Sequence, residues 1–142
     1  MTDNNTGTIS GLHLFLMKYQ NEEFVWGWKD CNTFVVEYVD YLKATTIYTE
    51  VQGKYFNIKS AIKFVRNYKC LNVGLKEQGF TEVSQAQDGD IITYPKFGFV
   101  CGHIVGYGRV HSMEVDAGYI AVPLSKVDLT DTNIKIWRYT SG

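Results

Sequence analysis

The chain of 142 residues is poor in cysteine and proline, and these shortages exclude several classes of protein. Three cysteines, Cys31, Cys70 and Cys101, are too few and too widely spaced for the disulfide framework of a small secreted domain. Two prolines exclude a Pro-rich stalk, and no apolar run in the sequence approaches the ~20 residues of a membrane span. We therefore expect synthesis in a reducing compartment, at least one free thiol and no insertion in a membrane.

Net charge is also small. The formal value of −1 predicts no strong attraction to nucleic acid, so no nucleic-acid partner is expected. Lys59, Lys63 and Arg66 share one face of a predicted helix. We interpret them as a solvated helix face, and the alternative is a patch for an anionic polymer.

Hydrophobic periodicity divides the chain into a helical first half and a strand-rich second half. Helical spacing predicts amphipathic helices over residues 9–20 and 31–44, a third helix capped by Asn57 and a short fourth helix ending at Gly79. From residue 81 the apolar period changes to two, which predicts short strands over residues 81–84, 90–94, 100–107, 109–113, 119–122 and 134–139. Helices followed by strands indicate one α+β domain over residues 1–142, with N-terminal helices packed on a C-terminal antiparallel sheet or partial barrel.

Cys31 follows Asp30, a predicted N-cap, at the start of the second helix. The free N–H groups and partial positive charge of a helix N-terminus lower the pKa of a thiol and favour the reactive thiolate. Cys31 is therefore a candidate nucleophile, although free cysteines are more often small buried hydrophobes, as we interpret Cys70 and Cys101. Since a carboxylate close to the sulfur would oppose ionisation, we expect the Asp30 side chain to turn onto backbone N–H groups.

Three short motifs, in this order, resemble the NlpC-type family of papain-like cysteine peptidases. They are Trp26-Gly27 followed by Asp30-Cys31, the segment Gln-Asp-Gly-Asp-Ile-Ile at 87–92 and the segment Gly-His-Ile-Val-Gly-Tyr at 102–107. The order of Cys31 and His103, and the gap of about 70 residues between them, also suit a papain-like fold. The compact spacing from Trp26 to Cys31 is most similar to a phage-encoded branch associated with tails.

The resemblance implies hydrolysis of an amide bond in peptidoglycan stem peptides, with Cys31 attacking the carbonyl and His103 acting as general base. It implies that the backbone N–H of Cys31 stabilises the oxyanion. Because the Trp-Gly turn comes directly before Cys31, we also expect Trp26 and Trp28 near the wall of the substrate groove, with Asp30 as a further substrate-binding residue. No metal or organic cofactor is required. Because the N-terminus lacks the pattern of a secretory signal, a virion, with other tail proteins as partners, would carry the protein from the host cytoplasm to the cell wall.

His111 is the predicted third catalytic residue, on the basis of hairpin geometry. If the strands on either side of Tyr107 pair with that residue at the centre, His103 lies opposite His111, with Cβ atoms about 4.5–5.5 Å apart. One ring would then fix the tautomer of the other. A register shift by one residue would turn His111 to the opposite face and leave Glu114 or Asp116 as the partner.

Three other interpretations stay open. Cys101, His103 and His111, with Cys31 as a fourth ligand, form a candidate zinc site, although only one of the paired short spacings typical of zinc sites is present. A catalytically inactive protein of the same fold would serve in phage tail assembly, where aromatic side chains contact other proteins. The related CHAP type of amidase shares the Cys-to-His order, and a polar partner other than His111 beside His103 would favour it.

Overall fold

The computed structural model describes residues 9–140, and its helices precede its strands. The helices are α1 (Ile9–Met17), α2 (Thr33–Lys43), α3 (Tyr48–Val51), α4 (Ile58–Asn67) and α5 (Leu71–Glu77). The strands are β1 (Phe80–Val83), β2 (Ile91–Lys96), β3 (Phe99–Gly106), β4 (Arg109–Glu114), β5 (Gly118–Pro123) and β6 (Lys135–Tyr139), with a short 3-10 helix at Leu124–Lys126. The predicted α+β class is confirmed, while α3 was not predicted. None of the helices between residues 9 and 140 has the length and apolar character needed to cross a bilayer.

The six strands between residues 80 and 139 form one antiparallel sheet in the order β1-β6-β2-β3-β4-β5. The last strand of the chain, β6, lies between β1 and β2. Phe80 of β1 pairs with Tyr139, and Ile91 of β2 pairs with Trp137. Two strand pairings of the sheet, β1 with β6 and β6 with β2, therefore depend on the C-terminal segment, and the predicted antiparallel sheet is confirmed.

Helix α2 lies at the centre of the larger hydrophobic core. Phe34, Val35 and Tyr38 are fully buried, and the Phe34 ring centre lies 5.9 Å from that of Phe15 in α1. A second, smaller cluster on the opposite face of the sheet consists of Ile92, Val105, Val110 and Ile136. Burial of both faces explains why several strands carry apolar residues at adjacent positions instead of alternating them with polar residues.

Local sequence signals set the ends of two helices. The Asn57 side chain accepts a hydrogen bond from the Ser60 N–H at 2.8 Å, and Ser60 Oγ accepts one from the Asn57 N–H at 3.2 Å. This reciprocal pair is a capping box. Gly79, after α5, has a φ of +89°, which glycine adopts without a steric penalty. Both predicted signals are confirmed.

The hairpin between β3 and β4 turns on two residues, Tyr107 and Gly108, which have φ values of 55° and 70°. Two central residues with positive φ are typical of a type I′ turn. The resulting register pairs Ile104 with His111. The predicted register, with His103 opposite His111, is therefore wrong by one residue, because a two-residue loop replaces a loop centred on Tyr107. Since side chains alternate along a strand, the shift places the two histidines on opposite faces of the sheet.

Candidate functional site

Asp30 organises the turn that leads into α2. Its side chain is completely buried, and its carboxylate accepts hydrogen bonds from the backbone N–H groups of Gly27 at 2.7 Å and of Asn32 and Thr33 at 2.8 Å each. The prediction that the Asp30 carboxylate turns onto backbone N–H groups is confirmed, whereas its predicted N-cap position is wrong by two residues, because α2 begins at Thr33 and Asn32 occupies the N-cap position. Because Asp30 has no exposed surface, the carboxylate supports the turn around Cys31, and contact with a substrate would require that turn to open.

Gly27 reverses the chain between the two tryptophans. Its φ is +85°, and a Cβ at this position would overlap the carbonyl oxygen of Tyr55, so the turn requires glycine. Backbone hydrogen bonds close the turn, including one from the Val25 N–H to the Lys29 carbonyl at 2.9 Å. The Asp30 hydrogen bond to the Gly27 N–H then connects this turn to the start of α2.

The sulfur of Cys31 is bonded to the sulfur of Cys101, 70 residues later in the chain. The two Cα atoms lie 5.2 Å apart, and both side chains are buried. The backbone N–H of Gly102 donates a hydrogen bond to the Cys31 carbonyl at 3.2 Å, so the turn lies directly against β3. The interpretation of Cys101 as a packing residue is therefore incomplete, because it is the direct partner of Cys31. Cys70 is the free, half-buried cysteine.

The backbone N–H of Cys31 donates no hydrogen bond within residues 9–140. The next N–H groups along the turn, those of Asn32 and Thr33, donate to the Asp30 carboxylate, and that of Phe34 donates to the Asp30 carbonyl. An unused N–H at the start of a helix is a suitable donor to an oxyanion, because the helix dipole adds partial positive charge there.

The His103 ring lies beside Tyr94 and Glu114. Its Nε2 is 2.9 Å from Tyr94 Oη and 3.5 Å from Glu114 Oε2, while Lys96 Nζ is 2.7 Å from Glu114 Oε1. The hydrogen bond with His103 is the largest influence on the Glu114 carboxyl, and together with Lys96 it lowers the pKa of Glu114 to about 2. Burial acts in the opposite direction but is outweighed. Glu114 is therefore ionised at neutral pH and lies beside His103, the contact expected for it if His111 turned to the opposite face.

His111 lies on the other face of the sheet, with both ring nitrogens engaged. Its Nε2 lies 2.9 Å from the Gly106 carbonyl oxygen, and its Nδ1 lies 2.5 Å from Tyr119 Oη. Because a carbonyl only accepts, Nε2 carries the hydrogen and Nδ1 accepts from Tyr119. Burial lowers the pKa of His111 below its usual 6.5. The predicted contact between His111 and His103 is wrong. His111 instead forms hydrogen bonds with Tyr119 and with the Gly106 carbonyl.

Trp26 and Trp28 flank the Gly27 turn and differ in exposure. The Trp26 ring packs edge-on against Phe24 at 4.8 Å and Phe97 at 5.4 Å. Trp28 is 47% exposed, and its carbonyl accepts a hydrogen bond from Tyr48 Oη at 2.8 Å. Of the two side chains, that of Trp28 is therefore the more exposed, and the predicted substrate contacts of both stay predictions.

The motif at 87–92 joins three strands. The Asp90 carboxylate is buried and accepts two hydrogen bonds from Arg138, at 2.9 and 2.8 Å, and one from the Gln87 N–H at 2.8 Å. Its carbonyl accepts from the Val105 N–H at 2.9 Å. Asp90 thus connects β2 to β3 and to β6, which positions the strand that carries His103.

A zinc site is not assembled in the part of the chain that the structure describes. Cys31 and Cys101 are bonded to each other, and His103 and His111 lie on opposite faces. Residues 9–140 hold no group of three or more His, Cys, Asp or Glu side chains placed to bind a metal ion.

Sequence reasoning missed Tyr94 as a partner of His103. Tyr94 pairs with Cys101 in the register of β2 and β3, which places it diagonally across from His103. A strand register depends on two distant segments, so no local pattern identifies this contact. The spacing of Cys101 and His103, two residues apart on one strand, was the signal that Cys101 lies near the site.

Comparison with curated proteins and with solved structures gives no match. A family described as a domain of unknown function, DUF6950, matches residues 9–130, a range that includes Cys31, Cys101, His103 and Glu114. Since this match covers most of the chain, the protein belongs to the DUF6950 family of domains of unknown function.

Proposed function

We propose that the protein is a cysteine hydrolase that cleaves amide bonds, with Cys31 as nucleophile and His103 as general base. The observation that carries this proposal is the position of Cys101. Cys101 and His103 are two residues apart on β3, so their side chains leave the same face of the strand, about 7 Å apart along it. Because the Cys101 sulfur contacts the Cys31 sulfur, Cys31 reaches the face that bears His103.

The papain-like, NlpC-type architecture is part of the same proposal. An α+β domain that presents a cysteine at a helix start against a strand bearing a histidine agrees with the motifs that resemble this family. Reduction of the bond between Cys31 and Cys101 by a thiol is required, because the thiolate is the nucleophilic form of cysteine.

In the reduced protein, His103 accepts the proton of the Cys31 thiol, and the thiolate attacks the carbonyl carbon of the amide. The unused N–H of Cys31 stabilises the negative charge that develops on the oxygen. As the C–N bond breaks, His103 returns the proton to the leaving amine, and the acyl group remains on Cys31 as a thioester. Water, giving a proton to His103, then hydrolyses the thioester, releases the acid and restores the thiol.

Glu114 is a positioning residue in this scheme. It lies beside Nε2 of His103 together with Tyr94, which leaves Nδ1 for the thiol. A charged carboxylate beside the ring stabilises the imidazolium that forms during the reaction. The CHAP-type amidases usually have a carboxylate or an amide in this position instead of a second histidine, and those enzymes share the proposed chemistry.

Peptidoglycan stem peptides are the proposed substrates, and a phage tail is the proposed route to the cell wall. Both rest on the resemblance of the three motifs. The exposed ring of Trp28, three residues before Cys31, supports a groove at this surface, since indole offers a large apolar area with a polar N–H.

Digestion of purified peptidoglycan, with products identified by mass spectrometry, tests the proposal. In the presence of a thiol reductant, the wild type should release new amino termini, and Cys31→Ala and His103→Ala should each be slower by at least about 100-fold. His13→Ala, an exposed histidine on α1, is the matched control and should keep the wild-type rate. Cys101→Ala should be active without reductant because it frees the Cys31 thiol. Undiminished cleavage by Cys31→Ala would refute the assignment.

A non-enzymatic role in a phage tail is the second candidate, and the bonded sulfur pair favours it. Cys31 is only 2% exposed, and Cys101 is fully buried, so the pair would serve as a cross-link between the start of α2 and β3. This alternative predicts that neither reductant nor Cys101→Ala produces cleavage, and that Cys31 in folded Cys101→Ala resists alkylation. Rapid alkylation of Cys31 in that variant would exclude it.

A further inference from the structure

A cavity of about 130 Å³ lies between α2, α3 and α5. Its apolar walls are formed by Val35, Val36, Val39, Val51, Leu71 and Leu75. Asn32, the residue after Cys31, also lines the cavity, which therefore lies next to the candidate active site, but Cys31, Cys101 and His103 are not among its lining residues. An engineered cavity of similar volume, about 150 Å³ with apolar walls, binds benzene, so this space suits a body of about six heavy atoms.

The rim of the cavity carries an excess of negative charge. Lys69 Nζ lies 2.7 Å from Glu77 Oε1, so these two charges compensate each other. Glu50 accepts a hydrogen bond from Tyr68 Oη at 2.9 Å and has no cationic partner within the described residues. One uncompensated carboxylate therefore stands at the mouth of an apolar cavity, which favours a ligand with a positive charge at one end.

Gly74 forms part of the wall where a side chain would fit. It lies inside α5, where glycine is a poor helix former, and a Cβ there would meet only the Lys69 Cδ, at 3.7 Å. Neither backbone conformation nor close packing requires glycine at this position. The missing side chain keeps one side of the cavity open.

We propose that this cavity binds a small organic amine, whose apolar body fills the space between α2 and α5 and whose ammonium group pairs with Glu50. The proposal does not rest on amide hydrolysis, since it uses none of the residues assigned to that reaction. Cys70 also lines the cavity and carries a free thiol, so its rate of alkylation can be used to detect a ligand in the cavity.

Titration of the full chain with benzylamine, benzyl alcohol and benzoate, followed by NMR chemical shifts at low ionic strength, tests the proposal. Benzylamine should bind about threefold more tightly than benzyl alcohol, because Glu50 is partly solvated, and benzoate should bind most weakly. Glu50→Gln should remove the difference between benzylamine and benzyl alcohol. Equal binding of all three probes to the wild type, or tighter binding of benzoate, would overturn the proposal.

Two leucine substitutions on α5 distinguish binding in the cavity from binding at the exposed surface of the same helix. Gly74→Leu should fill the cavity and abolish binding of benzylamine, while Val73→Leu, on the exposed side of α5, should keep the wild-type affinity. In the wild type, saturating benzylamine should slow alkylation of Cys70 by iodoacetamide, which tests occupancy even if Gly74→Leu fails to fold. Unchanged alkylation of Cys70, or undiminished binding to folded Gly74→Leu, would show that the cavity is not the site.

Discussion

The backbone N–H of Gly102 donates a hydrogen bond to the carbonyl oxygen of Cys31 at 3.2 Å. This contact holds the turn before α2 against β3, one residue before His103. The hydrogen bond can form because Gly102 has no side chain, since a Cβ at this position would overlap Cγ2 of Val35 on α2. The approach of helix to strand thus depends on a glycine, and it brings the candidate nucleophile and base into one region.

Gly102→Ala should therefore destabilise the protein. A methyl group forced against Val35 in a packed core costs about 1–3 kcal/mol in the free energy of unfolding. Urea denaturation measures this change. Gly74→Ala is the matched control, because its new Cβ has space and a helix favours alanine over glycine by up to about 1 kcal/mol. Equal effects of the two substitutions would show that the close approach at Gly102 is not needed.

Without reductant, only Cys70 should react with a thiol reagent after the chain is unfolded, and all three cysteines should react after reduction. Mass spectrometry of the alkylated chain counts the thiols. Since the bond closes a loop of 70 residues, the chain-entropy relation predicts that Cys101→Ala lowers the free energy of unfolding under oxidising conditions by about 4 kcal/mol. The same variant should lose much less relative to reduced wild type. Three reactive thiols in the unreduced chain would contradict the pairing.

Asp30→Ala should weaken the start of α2 by about 2–4 kcal/mol, because the N–H groups of Gly27, Asn32 and Thr33 lose their shared acceptor in a buried turn. Chemical denaturation gives the size of the loss. Asp30→Asn is the conservative control, since the amide keeps one oxygen acceptor of nearly the same shape, and its cost should be clearly smaller. If Asp30→Ala is as stable as the wild type, the carboxylate does not support the turn.

Glu114 should make stability depend on pH in the acidic range. Its folded pKa of about 2 lies below its ordinary value of 4.5, so its contribution to stability is present above pH 4.5 and disappears as the pH falls toward 2. A shift of this size corresponds to about 3 kcal/mol. Urea denaturation at a series of pH values should show a flatter profile for Glu114→Gln. Glu82→Gln, at an exposed position on β1, should retain the wild-type profile.

His111 should titrate below 6.5, because burial disfavours its charged form. Protonation then favours the unfolded chain, so the stabilising contribution of His111 is present above pH 6.5 and is lost as the pH falls through its lower folded pKa. Nitrogen-detected NMR should find the hydrogen on Nε2, opposite the Gly106 carbonyl, and Tyr119→Phe should preserve that tautomer. A hydrogen on Nδ1 would contradict the arrangement.

Features that depend only on neighbouring residues could be predicted from the sequence. Asn57 and Gly79 mark helix ends because a cap and a left-handed residue act within one turn. The change of apolar period at residue 81 indicated an antiparallel sheet after the helices, since period two follows from strand geometry alone. The inward turn of the Asp30 carboxylate could be predicted because its partners are only two or three residues away.

Contacts between distant residues could not be predicted from the sequence and became visible only in the folded chain. The two-residue turn at Tyr107 and Gly108 gives a hairpin register that differs by one residue from the predicted register. As a result His103 lies beside Glu114 and not beside His111. The contact between Cys31 and Cys101 spans 70 residues, and it forms because α2 packs closely on β3. Such contacts depend on loop geometry and on packing between remote segments, and the spacing of residues along the chain encodes neither of them.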